Sequence, residues 1–407
     1  MKTKIITSFV IVVLLGLSAG FVFYWNNLRG IKPAVTDPQF DIADTLPISE
    51  STSETEVDDP VQVQDVQGIN STNFPLQVAN GFEVTLFSDD VDGARVMALD
   101  FLGNLWVSQT SLGQVSLLEI KDGKVASINP IFKNLNRPHG LAFHPENPSL
   151  LYIAEEDKIS RVTVYSEGTM EKIADLPSGD GHFTRTIEFG RDGRLYVSVG
   201  SSCNSCQESD SRRAAISSMR DDGSDFESFA TGLRNSVFFA WHPVTGEMWA
   251  TENGRDRIGD NIPPDEINIV KEGLDYGWPY CFGDNLLDRN FSSNTSCSTY
   301  EGSHIDLQAH SAPLGLEFTP SNWPSVYHDD LIVAFHGSWN RTVPTGYKLV
   351  HVKLSRNGDF EGVEDFISGW LLEDNTSLGR PVDVLRWQDS LLVTDDKAGV
   401  IYKISSQ

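Results

Sequence analysis

Apolar residues are arranged in two different ways along the chain of 407 residues. Residues 5–27 form one continuous uncharged run that follows Lys2 and Lys4. From residue 76 onward, short apolar segments alternate with turns rich in Gly, Asp, Asn and Pro. A long uncharged run is typical of a membrane-spanning helix of about 20 residues, whereas short apolar segments between turn residues are typical of β-hairpins. The pattern therefore predicts an N-terminal transmembrane helix followed by a separate all-β domain.

The all-β part consists of six copies of one pattern, in which an apolar strand, a turn and a second apolar strand follow one another. The copies begin at Arg95, Arg137, Arg185, Arg234, Ala312 and Arg380. Further strands follow several of the copies, as in the segment Gln114-VSLLEI. Repeats of roughly 40–50 residues with four strands each are the signature of propeller blades. We therefore predict a six-bladed β-propeller with four-stranded blades over residues 76–407.

Residues 31–75, between the uncharged run and the first copy, have the composition of a disordered linker. They are rich in Ser, Thr, Pro and acidic residues and cannot bury enough apolar surface to become ordered. Residues 1–30 are interpreted as an uncleaved membrane anchor, because the uncharged run exceeds a usual signal-peptide core and Leu17 suits an A-x-A-type cleavage site poorly. Cleavage of this segment would instead give a secreted protein.

The four cysteines indicate the compartment of the predicted propeller. All of them lie in the all-β part, and an even number in Ser- and Asn-rich surroundings is typical of disulfides in an oxidising compartment. We predict the pairs Cys203–Cys206 and Cys281–Cys297. A zinc site is a poor interpretation of Cys203-Asn-Ser-Cys206, because no second pair accompanies it. The domain is therefore expected outside the cytoplasm, in the periplasm or at the cell surface.

The net charge of −26 limits the partners that the protein can bind. Nucleic acid is excluded, because phosphate binding needs a basic face. An acidic surface attracts cations such as Ca²⁺ and suits a neutral or weakly polar substrate better than an anionic one. The sequence also lacks a Gly-rich phosphate loop and a G-x-S-x-G nucleophile elbow.

Five arginines occupy corresponding positions at the entry to the first strand of a copy: Arg95, Arg137, Arg185, Arg234 and Arg380. Each one alone is explained at least as well by an ion pair with a neighbouring acid or by a bond to a loop carbonyl. The innermost strands of a propeller surround its axis, so five arginines in register predict a basic ring at one mouth of the channel. Such a ring would hold a flat ligand with several carboxylates.

Two further features carry candidate chemistry. His182 precedes Arg185 and lies at the same mouth, where neighbouring cations would lower its pKa and keep it neutral as a general base. A lone histidine is more often structural, so the arginines are needed to support this role. The acidic segment from Thr251 to Asn268 contains Gly and Pro and offers oxygen ligands that suit Ca²⁺.

Several motifs resemble one family: the sorbosone dehydrogenase-like branch of the soluble sugar dehydrogenases that depend on pyrroloquinoline quinone (PQQ). The matching runs include GHFTRTIEFGRDGRLYVSVGSSCNSC, GLRNSVFFAWHPVTGEMWATENGRD, YGWPYCFG, HSAPLGLEF, AFHGSWNRTVPTGYK and GRPVDV, and together they span about residues 76–407. The resemblance implies a six-bladed propeller in which PQQ lies across the axis on a Ca²⁺ ion and a sugar or sugar aldehyde is oxidised.

The resemblance also implies roles for individual residues. His182 matches the base that removes a proton from the sugar hydroxyl, and Arg234 matches the residue that polarises the quinone. Contacts with the cofactor are implied for five residues: Arg234, Asn235, His336, Arg341 and Arg380. The arginine ring adds Arg95 to that set. The main-chain carbonyls of Gly254 and Arg255 match the calcium ligands, although the segment that follows them is longer than in the glucose-oxidising relatives.

Two alternatives use a similar scaffold. A metal-dependent lactonase or other hydrolase needs side-chain carboxylates on its metal and no arginine ring. A non-catalytic propeller that binds carbohydrate needs neither His182 nor the arginines. The membrane anchor is compatible with a quinone or a cytochrome as electron acceptor.

Overall fold

The computed structural model describes residues 67–291 and 296–407, and in these residues it contains 28 strands in seven sheets. Six sheets have four or five strands, and the seventh is a two-stranded hairpin. Three short 3₁₀ helices lie between strands in the same part of the chain, at Thr110–Leu112, Cys297–Thr299 and Ser325–Tyr327. The prediction of an all-β, six-bladed propeller is confirmed.

The strands follow one another blade by blade. Before the first blade come β1 (Ile69–Ser71), β2 (Gln77–Val78) and β3 (Phe82–Ser88). Blade 1 contains β4 (Ala94–Leu99), β5 (Leu105–Gln109), β6 (Gln114–Lys121) and β7 (Lys124–Phe132). Blade 2 contains β8 (Leu141–Phe143), β9 (Leu150–Ala154), β10 (Lys158–Thr163) and β11 (Glu171–Asp175). Blade 3 contains β12 (Ile187–Phe189), β13 (Leu195–Val199), β14 (Ala215–Met219) and β15 (Glu227–Thr231).

The second half of the ring has the same order with one insertion. Blade 4 contains β16 (Phe239–Trp241), β17 (Met248–Glu252), β18 (Asp265–Val270) and, after the hairpin of β19 (Cys281–Phe282) and β20 (Leu286–Leu287), β21 (Ile305–Leu307). Blade 5 contains β22 (Pro313–Phe318), β23 (Leu331–Phe335), β24 (Lys348–Leu354) and β25 (Phe360–Ser368). Blade 6 contains β26 (Pro381–Trp387), β27 (Ser390–Asp395) and β28 (Val400–Ser406).

The N-terminal strands close the ring. Strand β3 pairs antiparallel with β28 and completes blade 6, with Val84 opposite Ile404. Strand β2 adds to the edge of blade 5 by pairing with β25. Strand β1 lies at the end of the predicted linker and pairs in parallel with β3, so the sheet structure begins before residue 76. The N-terminal strands therefore stabilise blades 5 and 6, and blade 6 contains strands from both ends of the described chain.

The repeats are explained by the way blades pack. The first strand of each copy is innermost, and β26 contacts β22 on one side and β4 on the other around the axis. The second strand of a blade, such as β5 or β13, is buried along its whole length. Both of its faces are covered because each blade packs between two others; Leu105 of blade 1, for example, shares a cluster with Leu392 of blade 6. The arginine positions that precede the inner strands are thereby brought to one mouth.

Both predicted disulfides are present. Cys203–Cys206 closes a short loop after β13, and Cys281–Cys297 ties the insertion of blade 4. The predicted membrane anchor and most of the predicted linker lie outside the described residues. In residues 67–291 and 296–407, no helix is long and apolar enough to cross a membrane.

Candidate active site

A cavity of about 350 Å³ opens at the mouth of the propeller axis. Its walls come from the segments that enter the inner strands of blades 1, 3, 4, 5 and 6 and from the loops that follow the second strands. Most of the predicted site residues line it together: Arg95, His182, Arg234, Asn235, Gly254, His336 and Arg380.

His182 is fixed by the loop that follows β13. Gly181 before it has a φ of +83°, and a Cβ there would overlap the main chain of Ser201, so only glycine allows this approach. The Nδ1 atom of His182 lies 3.0 Å from the carbonyl oxygen of Ser201 and 3.1 Å from its hydroxyl. A carbonyl only accepts hydrogen bonds, so Nδ1 carries the proton and Nε2 keeps its lone pair. His182 therefore has the tautomer that a general base at the cavity needs.

The charge state of His182 follows from its surroundings. Burial, and after it the guanidinium of Arg234, lower the pKa of His182 to about 3. The imidazole is consequently neutral across the physiological pH range. An anionic ligand beside Arg234 would offset the guanidinium charge and raise this pKa, which brings the base closer to the range in which proton transfer is efficient.

Arg234 is buried and all three of its nitrogen atoms donate hydrogen bonds. The Nε atom donates to the carbonyl of Asn204 at 3.0 Å, and Nη2 donates to the side-chain oxygen of Asn204 at 3.0 Å and to Asp256 at 3.2 Å. The Nη1 atom donates to the carbonyls of Asn253 and Gly254, at 3.0 and 2.9 Å. One edge of the guanidinium is thus held by Asn204, and Nη1 by the loop that follows β17.

Arg95, His336 and Arg380 line the opposite side of the cavity, and Asp396 is bonded to two of them. Asp396 accepts from Arg95 Nη1 at 2.8 Å and from His336 Nε2 at 3.0 Å. Arg380 donates to the main-chain carbonyls of His336 and Gly337. Burial lowers the pKa of His336 to about 4, and this effect outweighs the nearby carboxylate. Although burial alone would raise the pKa of Asp396, His336 and Arg95 hold it below its usual value.

Two buried polar atoms at the cavity have no hydrogen-bond partner among the described residues: Arg95 Nε and Asn235 Oδ1. An unpaired buried donor on a guanidinium costs free energy that a ligand oxygen would recover. The guanidiniums of Arg95, Arg234 and Arg380 all line this one cavity. The site therefore fits a flat anion with several carboxylate or carbonyl oxygens, and PQQ has that chemistry.

The main-chain oxygen of Gly254, one of the two predicted calcium ligands, already accepts a hydrogen bond. The carbonyl of Gly254 accepts from Arg234, as does the carbonyl of Asn253 beside it. The carboxylate of Asp265 fixes this loop by accepting from the main-chain N–H groups of Gly254 and Ala312, both at 2.9 Å. Carbonyl and carboxylate oxygens are the ligands that Ca²⁺ prefers, but a cation can use the Gly254 carbonyl only if Arg234 releases it.

Other predicted residues lie outside the cavity. The Arg255 side chain forms a buried ion pair with Asp288, 3.0 Å from Nε to the carboxylate. Arg341 donates to the carbonyls of Asp260 and Ala309 and so fixes a neighbouring loop. Arg185 is fully buried and donates to four loop carbonyls, while the side chain of Arg137 is 54% exposed and pairs with Glu156. Three of the five ring arginines thus line the cavity and two do not.

Four residues that were not singled out in the sequence also belong to the site, although their motifs were: Asp256 and Trp339 line the cavity, and Asn204 and Asp396 hold its arginines. Asp396 is the last residue of the sixth repeat, and Asp256 belongs to the acidic segment interpreted as a calcium loop. Asn204 lies inside the Cys203–Cys206 motif, which was considered only as a disulfide. Trp339, half exposed at the rim, is part of the motif that contains His336 and Arg341.

The sequence profile of the family described as TrAA12-like matches residues 76–405. An uncharacterized protein of Borreliella burgdorferi is 34% identical over 351 residues, which cover 81% of this chain and 90% of that protein. The pyrroloquinoline quinone-dependent pyranose dehydrogenase of Coprinopsis cinerea is 26% identical over 349 residues, which cover 72% of this chain and 47% of that protein. The chain thus spans about half the length of that second relative.

A solved structure shows the same fold. The calcium structure of a Trichoderma reesei carbohydrate-active enzyme of family AA12 has a TM-score of 0.72 and 20% sequence identity, over 83% of this chain and 100% of that chain. At this identity the likeness concerns the fold, an all-β propeller of six blades.

Proposed function

Because the chain belongs to the TrAA12-like family, we propose that it is a dehydrogenase that oxidises a sugar with PQQ as cofactor and Ca²⁺ as metal. One observation carries this proposal: the unprotonated Nε2 atom of His182 and the guanidiniums of Arg95, Arg234 and Arg380 share one cavity. A neutral base beside several fixed cations suits the transfer of a proton and a hydride next to an anionic cofactor.

In the proposed reaction the sugar loses a hydride from a carbon and a proton from the hydroxyl on that carbon. Bound PQQ supplies the acceptor for the hydride. His182 accepts the proton at Nε2, while Ser201 keeps Nδ1 protonated and the ring in one orientation. The imidazolium that results is opposed by burial and by Arg234, so His182 passes the proton on readily. Arg95, Arg234 and Arg380 would bind oxygen atoms of the cofactor and stabilise the negative charge that it gains on reduction.

The proposed calcium site shares its oxygen ligands with Arg234. The carbonyl of Gly254 and the carboxylate of Asp256 are oxygen ligands of the kind that hold Ca²⁺, and both accept from Arg234 in the absence of ligands. We infer that metal binding and release of Nη1 from Gly254 occur together, which frees this nitrogen for the cofactor. The role of the Arg255 carbonyl stays a prediction.

The substrate class and the location remain parts of the proposal. An aldose or a sugar aldehyde of the sorbosone type agrees with the acidic protein surface and with the pyranose dehydrogenase relative. The two disulfides support a domain outside the cytoplasm. We propose that the N-terminal segment anchors it to the membrane, near a quinone or cytochrome that reoxidises the cofactor.

The proposal is tested with the full-length protein, purified without cofactor and reconstituted with PQQ, Ca²⁺, both or neither. We expect reduction of an artificial dye by a panel of aldoses and sugar aldehydes only when both are added. A protein that binds neither PQQ nor Ca²⁺ and reduces no dye would contradict the proposal. Lactone hydrolysis with a divalent metal alone would favour the hydrolase, although the two carboxylates that line the cavity are already bonded: Asp256 pairs with Arg234, and Asp265 accepts from the main-chain N–H groups of Gly254 and Ala312.

A further inference from the structure

The loop between Gly200 and Cys206 contacts both residues that the proposed chemistry needs. Ser201 accepts from the Nδ1 atom of His182, and its hydroxyl donates to the carbonyl of Cys203 at 2.7 Å. Three residues further, Asn204 holds Arg234. A single short segment therefore connects the base, the main cavity arginine and a disulfide.

Asn204 uses every polar group of its side chain in this arrangement. Its side-chain oxygen accepts from Arg234 Nη2 at 3.0 Å and from the main-chain N–H of Asp256 at 2.8 Å. Its amide nitrogen donates to the carbonyl of Asp256 at 3.0 Å, and its own carbonyl accepts from Arg234 Nε. The Nε and Nη2 edge of Arg234 is thus held by one residue in a planar, two-point contact, which fixes the orientation of a guanidinium.

This contact leaves the other side of Arg234 for ligands. The Nη1 atom is held by carbonyls of the loop after β17, including that of Gly254. If metal or cofactor binding draws Nη1 away from those carbonyls, Asn204 still retains the opposite edge. The side chain then rotates little, and the guanidinium remains next to His182.

The disulfide determines where Asn204 lies. Asn204 belongs to no strand and sits between two half-cystines that are 3 residues apart in the sequence. Closing so short a ring restricts the backbone of the two residues inside it. Cys203 and Cys206 are partly exposed, so a reductant in the surrounding solution can reach the bond.

We propose that Asn204, held by the Cys203–Cys206 disulfide, is a positioning residue for Arg234, and that the affinity of the cavity for PQQ depends on this disulfide being oxidised. The proposal rests on the proposed function, because PQQ is taken as the ligand of Arg234. A dithiol reductant opens the bond by exchange: the protein gains two thiols, and the reductant becomes a cyclic disulfide. Asn204 then loses its fixed position, and Arg234 loses the partner of one edge.

The test compares four full-length variants: Asn204→Ala, C203S/C206S, the variant that combines these three substitutions and, as matched control, C281S/C297S. PQQ affinity is measured by titration of the cofactor-free protein in the presence of Ca²⁺. We expect Asn204→Ala and C203S/C206S each to bind PQQ about 10-fold more weakly, the effect of losing hydrogen bonds to a charged group. The variant with all three substitutions should lose little more, because both changes remove the same contact. C281S/C297S should retain wild-type affinity.

A second measurement needs no cofactor. The Nε–H signal of Arg234, assigned in NMR spectra by its loss in Arg234→Lys, reports the bond to the Asn204 carbonyl. We expect it to shift or broaden in C203S/C206S and in wild-type protein treated with dithiothreitol, but not in C281S/C297S. If folded C203S/C206S keeps this signal and binds PQQ with wild-type affinity, the inference is wrong. If wild-type protein binds no PQQ, the proposed function fails, while the Arg234 signal still decides the positioning role.

Discussion

Two sides of the cavity contain the same kinds of residues in opposite arrangements. The first side consists of His182, Arg234 and Asp256, and the second of Arg95, His336, Arg380 and Asp396. Each has a partly buried histidine whose pKa is lowered, to about 3 for His182 and to about 4 for His336. His182 donates a hydrogen bond from Nδ1 to a main-chain carbonyl, whereas His336 donates one from Nε2 to a carboxylate.

The difference decides which histidine can act as a base. Because Nδ1 of His182 donates to Ser201, Nε2 is unprotonated and has a lone pair at the cavity. The Nε2 atom of His336 instead carries a proton, which it donates to Asp396 in a hydrogen bond. The arginines differ in the same way. Arg234 has acceptors for all three of its nitrogen atoms, whereas Arg95 has a buried Nε without a partner among the described residues. The first side is therefore built for proton transfer, and the second for holding an anion.

The largest expected effect comes from replacing each of the two histidines with glutamine. His182→Gln removes the proposed base, so we expect kcat for sugar oxidation to fall by about 10²–10⁴-fold, the usual contribution of a general base. His336→Gln keeps a side-chain N–H that can donate to Asp396, and we expect at most a ~10-fold loss. Steady-state kinetics of both variants, reconstituted with PQQ and Ca²⁺, provide the measurement.

PQQ affinity is the control for that comparison. Both variants should bind PQQ within a few-fold of wild type, because neither removes a guanidinium. Equal losses of kcat in the two variants would mean that the two sides do not differ in the way described. Wild-type turnover by His182→Gln would exclude His182 as the base.

A smaller effect is expected from the two carboxylates. Asp396→Asn weakens the ion pair with Arg95, whose side chain is only 10% exposed. We expect the free energy of unfolding to fall by about 2 kcal/mol, as for a buried hydrogen bond to a charged group. Asp256→Asn should cost less, because Arg234 keeps its bonds to Asn204, Asn253 and Gly254. Denaturant titrations of the cofactor-free variants test the difference, and an equal or larger loss for Asp256→Asn would contradict it.

The fold was predictable because its cause is local and repeated. Every blade needs the same strand, turn and strand pattern, so six copies in one sequence predict six blades without any long-range information. The closure of the ring was not predicted, since β2 and β3 pair with strands more than 250 residues away and β1–β3 show no copy of the pattern. Short segments such as Gln77–Val78 carry no signal of their own.

The candidate site was predictable where the register of the repeats determines it. Arg95, Arg234 and Arg380 occupy corresponding positions and meet at one mouth. Arg185 has the same register, yet its guanidinium turns to loop carbonyls, which no spacing in the sequence reveals. Arg341 was assigned to the cofactor by resemblance, but its side chain donates to the carbonyls of a neighbouring loop. The role predicted for Arg255 concerns its main-chain carbonyl and stays a prediction. Asn204 was not predicted, because the motif that contains it was interpreted only as a disulfide between Cys203 and Cys206.

The smallest expected effect concerns the pKa of His182. It tests whether the positive charge of Arg234 contributes to the neutral state of the histidine on the first side. Protonation of His182 is opposed first by burial and then by Arg234, so the pKa lies well below the ordinary value of 6.5. NMR titration of the imidazole in cofactor-free protein should show a neutral ring between pH 7 and pH 5. Arg234→Gln removes one positive charge and should shift the midpoint to higher pH, but not above 6.5, because the burial remains. PQQ should shift it in the same direction, since a bound anion offsets the guanidinium charge. If Arg234→Gln leaves the titration midpoint of His182 unchanged, Arg234 does not contribute to the low pKa. The neutral state of His182 would then result from its burial and not from this arginine.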